Sequence, residues 1–225
     1  MSKAVIFGVS KVAEVLFQTI KDDKSDVEIS AFCVDEEYLT ENSKNGIPVV
    51  SFEKVQELFP PNEYEMYVAI GYHDLNDVRK TKCDEAIKKG YVLPSYVSSR
   101  ADVASNASIG SNTFIFNGAI VGPYCVIGDD NQIYSGAVIS HHVNVGNHNW
   151  ITSGTVVGGN TTIGNNCFIG IGSTIGHNIT LGDYNFLGTN AVITKNTEDN
   201  SVYIVADTPK YRLDSKRFTK LFKFD

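Results

Sequence analysis

The sequence predicts a parallel-sheet α/β domain followed by a β-solenoid. Three observations carry this. Strand-period and helix-period apolar segments alternate over residues 1–94, an aliphatic residue recurs every sixth position from 97 to 193, and most of the 19 glycines fall inside that repeat. A 225-residue chain that is 42% hydrophobic and 20% charged has the apolar material for a real core, which excludes intrinsic disorder. The net charge of −7, with no basic cluster before the last dozen residues, argues against nucleic acid as a partner. No apolar run reaches membrane-spanning length, so no membrane insertion is expected. The N-terminus reads as a strand, not a signal segment. The four cysteines, Cys33, Cys83, Cys125 and Cys167, are scattered without CxxC pairs, which suits free thiols in a cytoplasmic protein better than disulfides or zinc ligands.

Within residues 1–94, Lys3–Phe7 reads as an apolar strand that runs through Gly8-Val9-Ser10-Lys11 into a helix ending near Asp22. Val27–Val34 is a second strand, ending at Asp35-Glu36. Ile47–Val50 is a short strand, and Ser51 reads as the N-cap of a helix through Phe59. Tyr64–Ile70 is a third clear strand, ending at Gly71-Tyr72; a helix from Asn76 to Lys89 follows, with Gly90 as its C-cap. Alternation of this kind gives a small Rossmann-like domain.

Residues 95–200 form the repeat. Stepping by six from Val97 to Ile193 meets seventeen Val, Ile or Leu residues without a break, and Gly follows ten of them. Such a period means a solenoid. Each hexapeptide is one flat face, the aliphatic points inward, and three faces make an eighteen-residue coil. The fourth residue after the aliphatic is usually small, as at Ala119, Cys125, Ala137 and Ser173, which keeps the column narrow. The glycines are expected to allow a corner conformation that a Cβ opposes. A solenoid needs its strand edges covered. The α/β domain is expected at one end, and a tail over 201–225, with a basic helix around Leu213–Lys223, at the other.

This pattern resembles the hexapeptide-repeat acyltransferases, which are left-handed β-helices. With the Rossmann-like domain in front, the whole chain resembles the PglD-like nucleotide-amino-sugar N-acetyltransferases of bacterial surface-glycan (lipopolysaccharide, O-antigen) pathways. The resemblance implies a homotrimer that moves acetyl from acetyl-CoA to the amine of a UDP- or dTDP-linked amino-deoxysugar, a 4-amino-4,6-dideoxy sugar, with no metal. Ala137–Gly146 matches the family's catalytic turn, and His141 stands at its general base. A base is needed because a sugar amine is partly ammonium at neutral pH, and an imidazole titrates in the right range. By register His141 points outward, and the residue one coil above it is Gly159, so a slot is expected there for the thioester arm.

The family often has an acidic residue after the base; here it is His142, so His141 must find its orienting partner elsewhere or be a weaker base. The family's second histidine is replaced by Trp150, the only tryptophan, whose N–H can donate but not shuttle protons. His148 nearby is a candidate to share that role. Trp150 is read equally well as packing between subunits. Implied acetyl-CoA contacts are Trp150, Gly159, Ile171 and Thr189, with Lys195, Pro209 and Lys210 near phosphates and adenine. Implied nucleotide-sugar contacts are Gly8, Ser10, Lys11, Asp35, Glu36, Gly71 and Tyr72, with Asn76 and Arg79 as sugar or pyrophosphate ligands. O-acetylation of a sugar or sialic acid on the same scaffold, and a non-catalytic binding scaffold, are the alternatives. The histidine spacing resembles no three-ligand zinc set.

Overall fold

The computed structural model describes residues 2–23 and 25–221. Its first part contains β1 (Ser2–Phe7), α1 (Lys11–Asp22), β2 (Val27–Val34), β3 (Ser43–Lys44), β4 (Ile47–Ser51), α2 (Val55–Leu58), β5 (Glu65–Val68) and α3 (Asp77–Lys88). The sheet order is β3-β4-β2-β1-β5, parallel except for β3 against β4. α1 buries Ala13, Leu16 and Ile20 against Ile6 and Phe32 on one side of the sheet. α3 buries Cys83 and Ala86 with Val5 and Met66 on the other. The helix expected from Ser51 shrinks to α2. Ser51 stays in β4 and donates to Glu53, so it caps nothing, and Lys54 precedes the helix instead.

From Tyr96 onward the chain winds a left-handed parallel β-helix with three faces. The first face carries seven two-residue strands, the second six and the third five, each paired in register with the strand eighteen residues away except the last of the first face, Val202–Tyr203, which pairs at sixteen. The inward aliphatics from Ile115 to Ile193 are all buried in one column with Ala119, Ala137 and Cys167. Val97 remains 41% exposed, because no coil lies beyond it.

The corners correct the expected role of the glycines. Left-handed backbone recurs every six residues from Asn112 to Asn190, three positions after each aliphatic, and is held mostly by Asn, Gly, His, Tyr and Asp. Asn and Asp tolerate this region better than most residues, so these side chains are chosen for φ. The glycines directly after the aliphatics serve a different need. A Cβ on Gly146 would lie 2.7 Å from the Gly164 carbonyl oxygen of the next coil, so the constraint is backbone approach.

The α/β part packs on the side of the column, not on its end. The first face turns Phe114, Gln132, Trp150, Phe168 and Phe186 outward, and Tyr67 and Tyr72 meet this ladder at Phe114, Trp150 and Phe168. The corner residues Asn112, Asp130, Asn166 and Tyr184 along the edge between the third and first faces reach across to Val68, Arg79, Leu75 and Asp77. An aromatic column with a polar margin is a better partner for a sheet than an open coil end. At the far end, Val202–Tyr203 adds one more rung to the first face. Beyond it the tail is largely exposed, and its helix, α4 (Ser215–Thr219), buries nothing. Of the helix expected over Leu213–Lys223, Leu213 and Asp214 lie before α4 and Lys220 and Leu221 form a turn after it, while residues 222 and 223 lie outside the described residues.

Candidate functional site

Two adjacent cavities lie at the carboxyl ends of β1, β2 and β5. The first, of about 540 Å³, is lined by Phe7, Gly8, Ser10, Asp35, Tyr38, His73, Val78 and Lys82 among others. The second, also about 540 Å³, is lined by Ser10, Lys11, Val12, Gly71, Tyr72, His73 and Trp150. Ser10 and His73 belong to both, so the pair forms one trough from the sheet to the β-helix. Gly8 adopts φ +117°, and a Cβ there would lie 2.6 Å from the Ala69 oxygen, so only glycine fits. Ser10 precedes α1 with its hydroxyl uncommitted to capping.

Asp35 pairs with Lys82 at 2.8 Å. Partial burial pulls the Lys82 ammonium down, but the carboxylates of Asp35 and Glu85 outweigh this and hold its pKa above the ordinary lysine value. Glu36 does not line the trough. It accepts from Ser51 and pairs with Lys54 because the turn after β2 directs it to the outer edge. Tyr38, His73, Val78 and Lys82 line the trough without having been singled out. Their only sequence signal is position just after a strand or on the helix that follows.

Asn76 and Arg79 are corrected most plainly. Both are fully buried, so neither is free to hold a ligand directly. Arg79 donates from Nε to both Asp130 carboxylate oxygens at 2.9 and 3.0 Å and from Nη1 to Asn76 at 2.8 Å. A buried guanidinium requires such partners. His148 Nδ1 lies 3.0 Å from Asp130 Oδ2, which commits it to this network and away from any role beside His141. Trp150 is 6% exposed, packed beneath Tyr72 and Tyr134 and under the Arg79 guanidinium, and what remains open of it lines the second cavity. The turn Asp74-Leu75-Asn76 has φ of 50°, 44° and 71°, three non-glycine residues in the left-handed region. Asp and Asn tolerate this region, so the strain falls on Leu75, where it costs about 1–3 kcal/mol and persists only because the surroundings hold the turn.

His141 sits elsewhere, on the edge between the second and third faces, opposite the face that carries the trough. Pro123, His141, Gly159, His177 and Lys195 share this edge at eighteen-residue spacing. The expected slot at Gly159 is filled by the imidazole itself: a Cβ there would lie 2.6 Å from His141 Cε1 and 2.8 Å from Nε2, and Gly159 is buried under the ring. The polar group beside the His141 ring is His142. The two Nδ1 atoms are 3.1 Å apart, and His142 stacks on Tyr124 with centroids at 4.7 Å. One proton shared between these nitrogens, when placed on His141, leaves its Nε2 a free lone pair facing solvent.

Lys195, exposed, shares the His141 edge, whereas Ile171 and Thr189, also exposed, stand on the edge between the first and second faces. Pro209 and Lys210 lie in the exposed tail. One chain therefore does not bring the expected CoA contacts together. Burial pushes the Cys167 thiol up to about 12, so it is no nucleophile at neutral pH. Among the described residues no group of three or more His, Cys, Asp or Glu side chains could hold a metal ion, and no helix is long and apolar enough to cross a membrane.

Residues 106–141 and 160–195 match the family model described as bacterial transferase hexapeptide (six repeats). Those two segments carry bacterial-transferase hexapeptide repeats, and the fold they build is a left-handed β-helix. Among solved structures it is similar to the acetyltransferase domain of PglB from Neisseria gonorrhoeae FA1090, at 23% identity and a TM-score of 0.80, covering 90% of this chain and 96% of that one. It is likewise similar to PerB from Caulobacter crescentus, solved with CoA and GDP-perosamine, at 21% identity and a TM-score of 0.79, covering 90% and 93%. At these identities the likeness is one of fold. Comparison with curated protein sequences finds no match.

Proposed function

We propose that this protein is an acetyl-CoA-dependent N-acetyltransferase acting on the amine of a nucleotide-linked amino-deoxysugar, a 4-amino-4,6-dideoxy sugar carried by UDP or dTDP. The PerB complex with GDP-perosamine adds GDP to the carriers worth testing. The observation that carries the reading is the opposition of His141 and the trough across one prism. A nucleotide sugar bound along Gly8, Ser10, Asp35, Gly71 and Tyr72 cannot reach His141 of its own chain, so the site needs the His141 edge of a neighbour. A homotrimer supplies this, and it also sets Ile171 and Thr189 of one prism against Lys195 of the next, with CoA between them. The apolar outward column of the second face, Ile120, Val156 and Val192 at 41%, 41% and 66% exposure, supports burial against another copy.

In the proposed reaction His141 Nε2 takes a proton from the amine as the nitrogen attacks the thioester carbonyl. The C–N bond forms, the C–S bond breaks, and the imidazolium returns the proton to the departing CoA sulfur. His142 accepts from His141 Nδ1–H throughout and fixes the tautomer. Direct transfer through a ternary complex needs no acyl-cysteine. The test is thiol release from acetyl-CoA with a panel of UDP-, dTDP- and GDP-amino sugars. Turnover with an amine supports the reading. Turnover only with hydroxyl acceptors means O-acetylation, and CoA binding without turnover means a scaffold; either overturns it.

A further inference from the structure

We propose that Arg79 is a positioning residue that pre-forms the acceptor end of the trough. The inference rests on the function proposed above. Arg79 touches three things at once. Its guanidinium lies 5.6 Å over the Trp150 ring, which walls the second cavity. It donates to Asn76, the last residue of the strained turn. It is anchored to the β-helix through the Asp130 carboxylate and carbonyl, the latter at 3.0 Å.

The turn is pinned from the same side. Asn76 Nδ2 donates to the Cys167 carbonyl at 3.3 Å, and Asn166 Nδ2 donates to the Leu75 carbonyl at 3.1 Å. Immediately before the turn stand Tyr72 and His73, which line the second cavity. Tyr72 packs on Trp150 and Phe168, with centroids at 5.4 and 4.6 Å. A left-handed leucine such as Leu75 persists only where the surroundings over-determine it, and such strain is typical of ligand clamps. A trough wall already in its binding geometry avoids ordering costs when the ligand arrives. This assigns Arg79 a purpose that its burial denies it as a direct ligand.

The experiment titrates the full-length protein with UDP, dTDP and GDP, reading calorimetry and the fluorescence of Trp150, the single tryptophan. Arg79→Lys keeps the charge but loses the fork, so at least tenfold weaker binding is expected, with Trp150 more open to acrylamide quenching. Leu75→Gly relaxes the turn without removing a side-chain hydrogen bond. It is expected to keep the melting temperature within a few degrees yet bind nucleotide at least tenfold more weakly. In turnover both variants raise KM for the acceptor and leave KM for acetyl-CoA unchanged. Wild-type affinity in folded Leu75→Gly and Arg79→Lys overturns this inference alone. A wild-type protein that binds none of the three nucleotides overturns the proposed function and this inference with it.

Discussion

Two vertical edges of the same prism use one repeat position for opposite ends. Between the third and first faces, the second residue after each aliphatic is Asp129, Asn147, Asn165 or Asp183, and its Oδ1 accepts the backbone N–H one coil below, at 2.7, 2.8, 2.8 and 2.7 Å. Between the second and third faces the same position is Pro123, His141, Gly159, His177 and Lys195, and among the described residues none of these side chains makes that bond. The first edge is bound into the backbone ladder and carries the α/β part at its corner residues. The second is left free to face outward. Identical coil geometry thus separates a bound edge from an open one by residue type alone.

The largest expected effect falls on the free edge. His141→Ala should lower kcat at least about a hundredfold, the usual scale for losing a general base, with an unchanged circular dichroism spectrum. Near-normal turnover would remove it as the base. The matching change on the bound edge, Asn147→Ala, should leave kcat within about twofold, since it is far from any reacting group.

A glycine pair sharpens the contrast. Gly146→Ala forces a Cβ to within 2.7 Å of both the Gly164 oxygen and Asn165 Oδ1, where backbone must yield, so a loss of about 1–3 kcal/mol in denaturant unfolding is expected. For Gly159→Ala the three nearest atoms all belong to the His141 ring, at 2.6, 2.8 and 3.1 Å, and that exposed side chain can swing into solvent. Its stability should stay within about 0.5 kcal/mol of wild type while activity falls severalfold or more. Equal destabilisation by both would mean that the edges do not differ as described.

The stacked interior was legible because the inside of a narrow coil accepts little but an aliphatic, and a strict period of six records that. The site was partly legible. His141 stood out through its turn, and Gly8, Ser10, Asp35 and Tyr72 through their place after strands. What the hexad period hides is everything facing outward. The aromatic column Phe114, Trp150, Phe168 and Phe186 was readable at eighteen-residue spacing, and it foretells a covered side rather than a covered end. His142 looks like a missing carboxylate only until its φ of 57° marks it as a corner residue. Arg79 could not have been separated from a ligand, because its partner Asp130 is 51 residues away and only the folded chain joins them.

A smaller effect comes from loss of one rung of the bound edge. Asn147→Ala leaves the exposed Asp129 N–H to water in place of its acceptor, which should cost about 0.5–1.5 kcal/mol. Asparagine rungs carry no charge, so this loss should not vary between pH 3 and pH 7. The junction at the first coil uses the same bond with a titratable acceptor. Asp23 takes hydrogen bonds from the Ser99 N–H at 2.9 Å, from Ser98 at 2.8 Å and from the Tyr96 hydroxyl. Burial alone raises its pKa, but these donors outweigh it and bring the carboxyl down to about 2, against 3.8 for an unperturbed carboxyl. A depressed folded-state value means that the unfolded chain binds the proton first. The stabilisation, roughly 2 kcal/mol, is therefore fully present above about pH 4 and lost as pH falls through about 2. Asp23→Asn should lower the midpoint of denaturant unfolding at pH 7, and the gap from wild type should close by pH 2. A gap that stays constant with pH would show that Asp23 acts as a neutral acceptor, like the asparagine rungs.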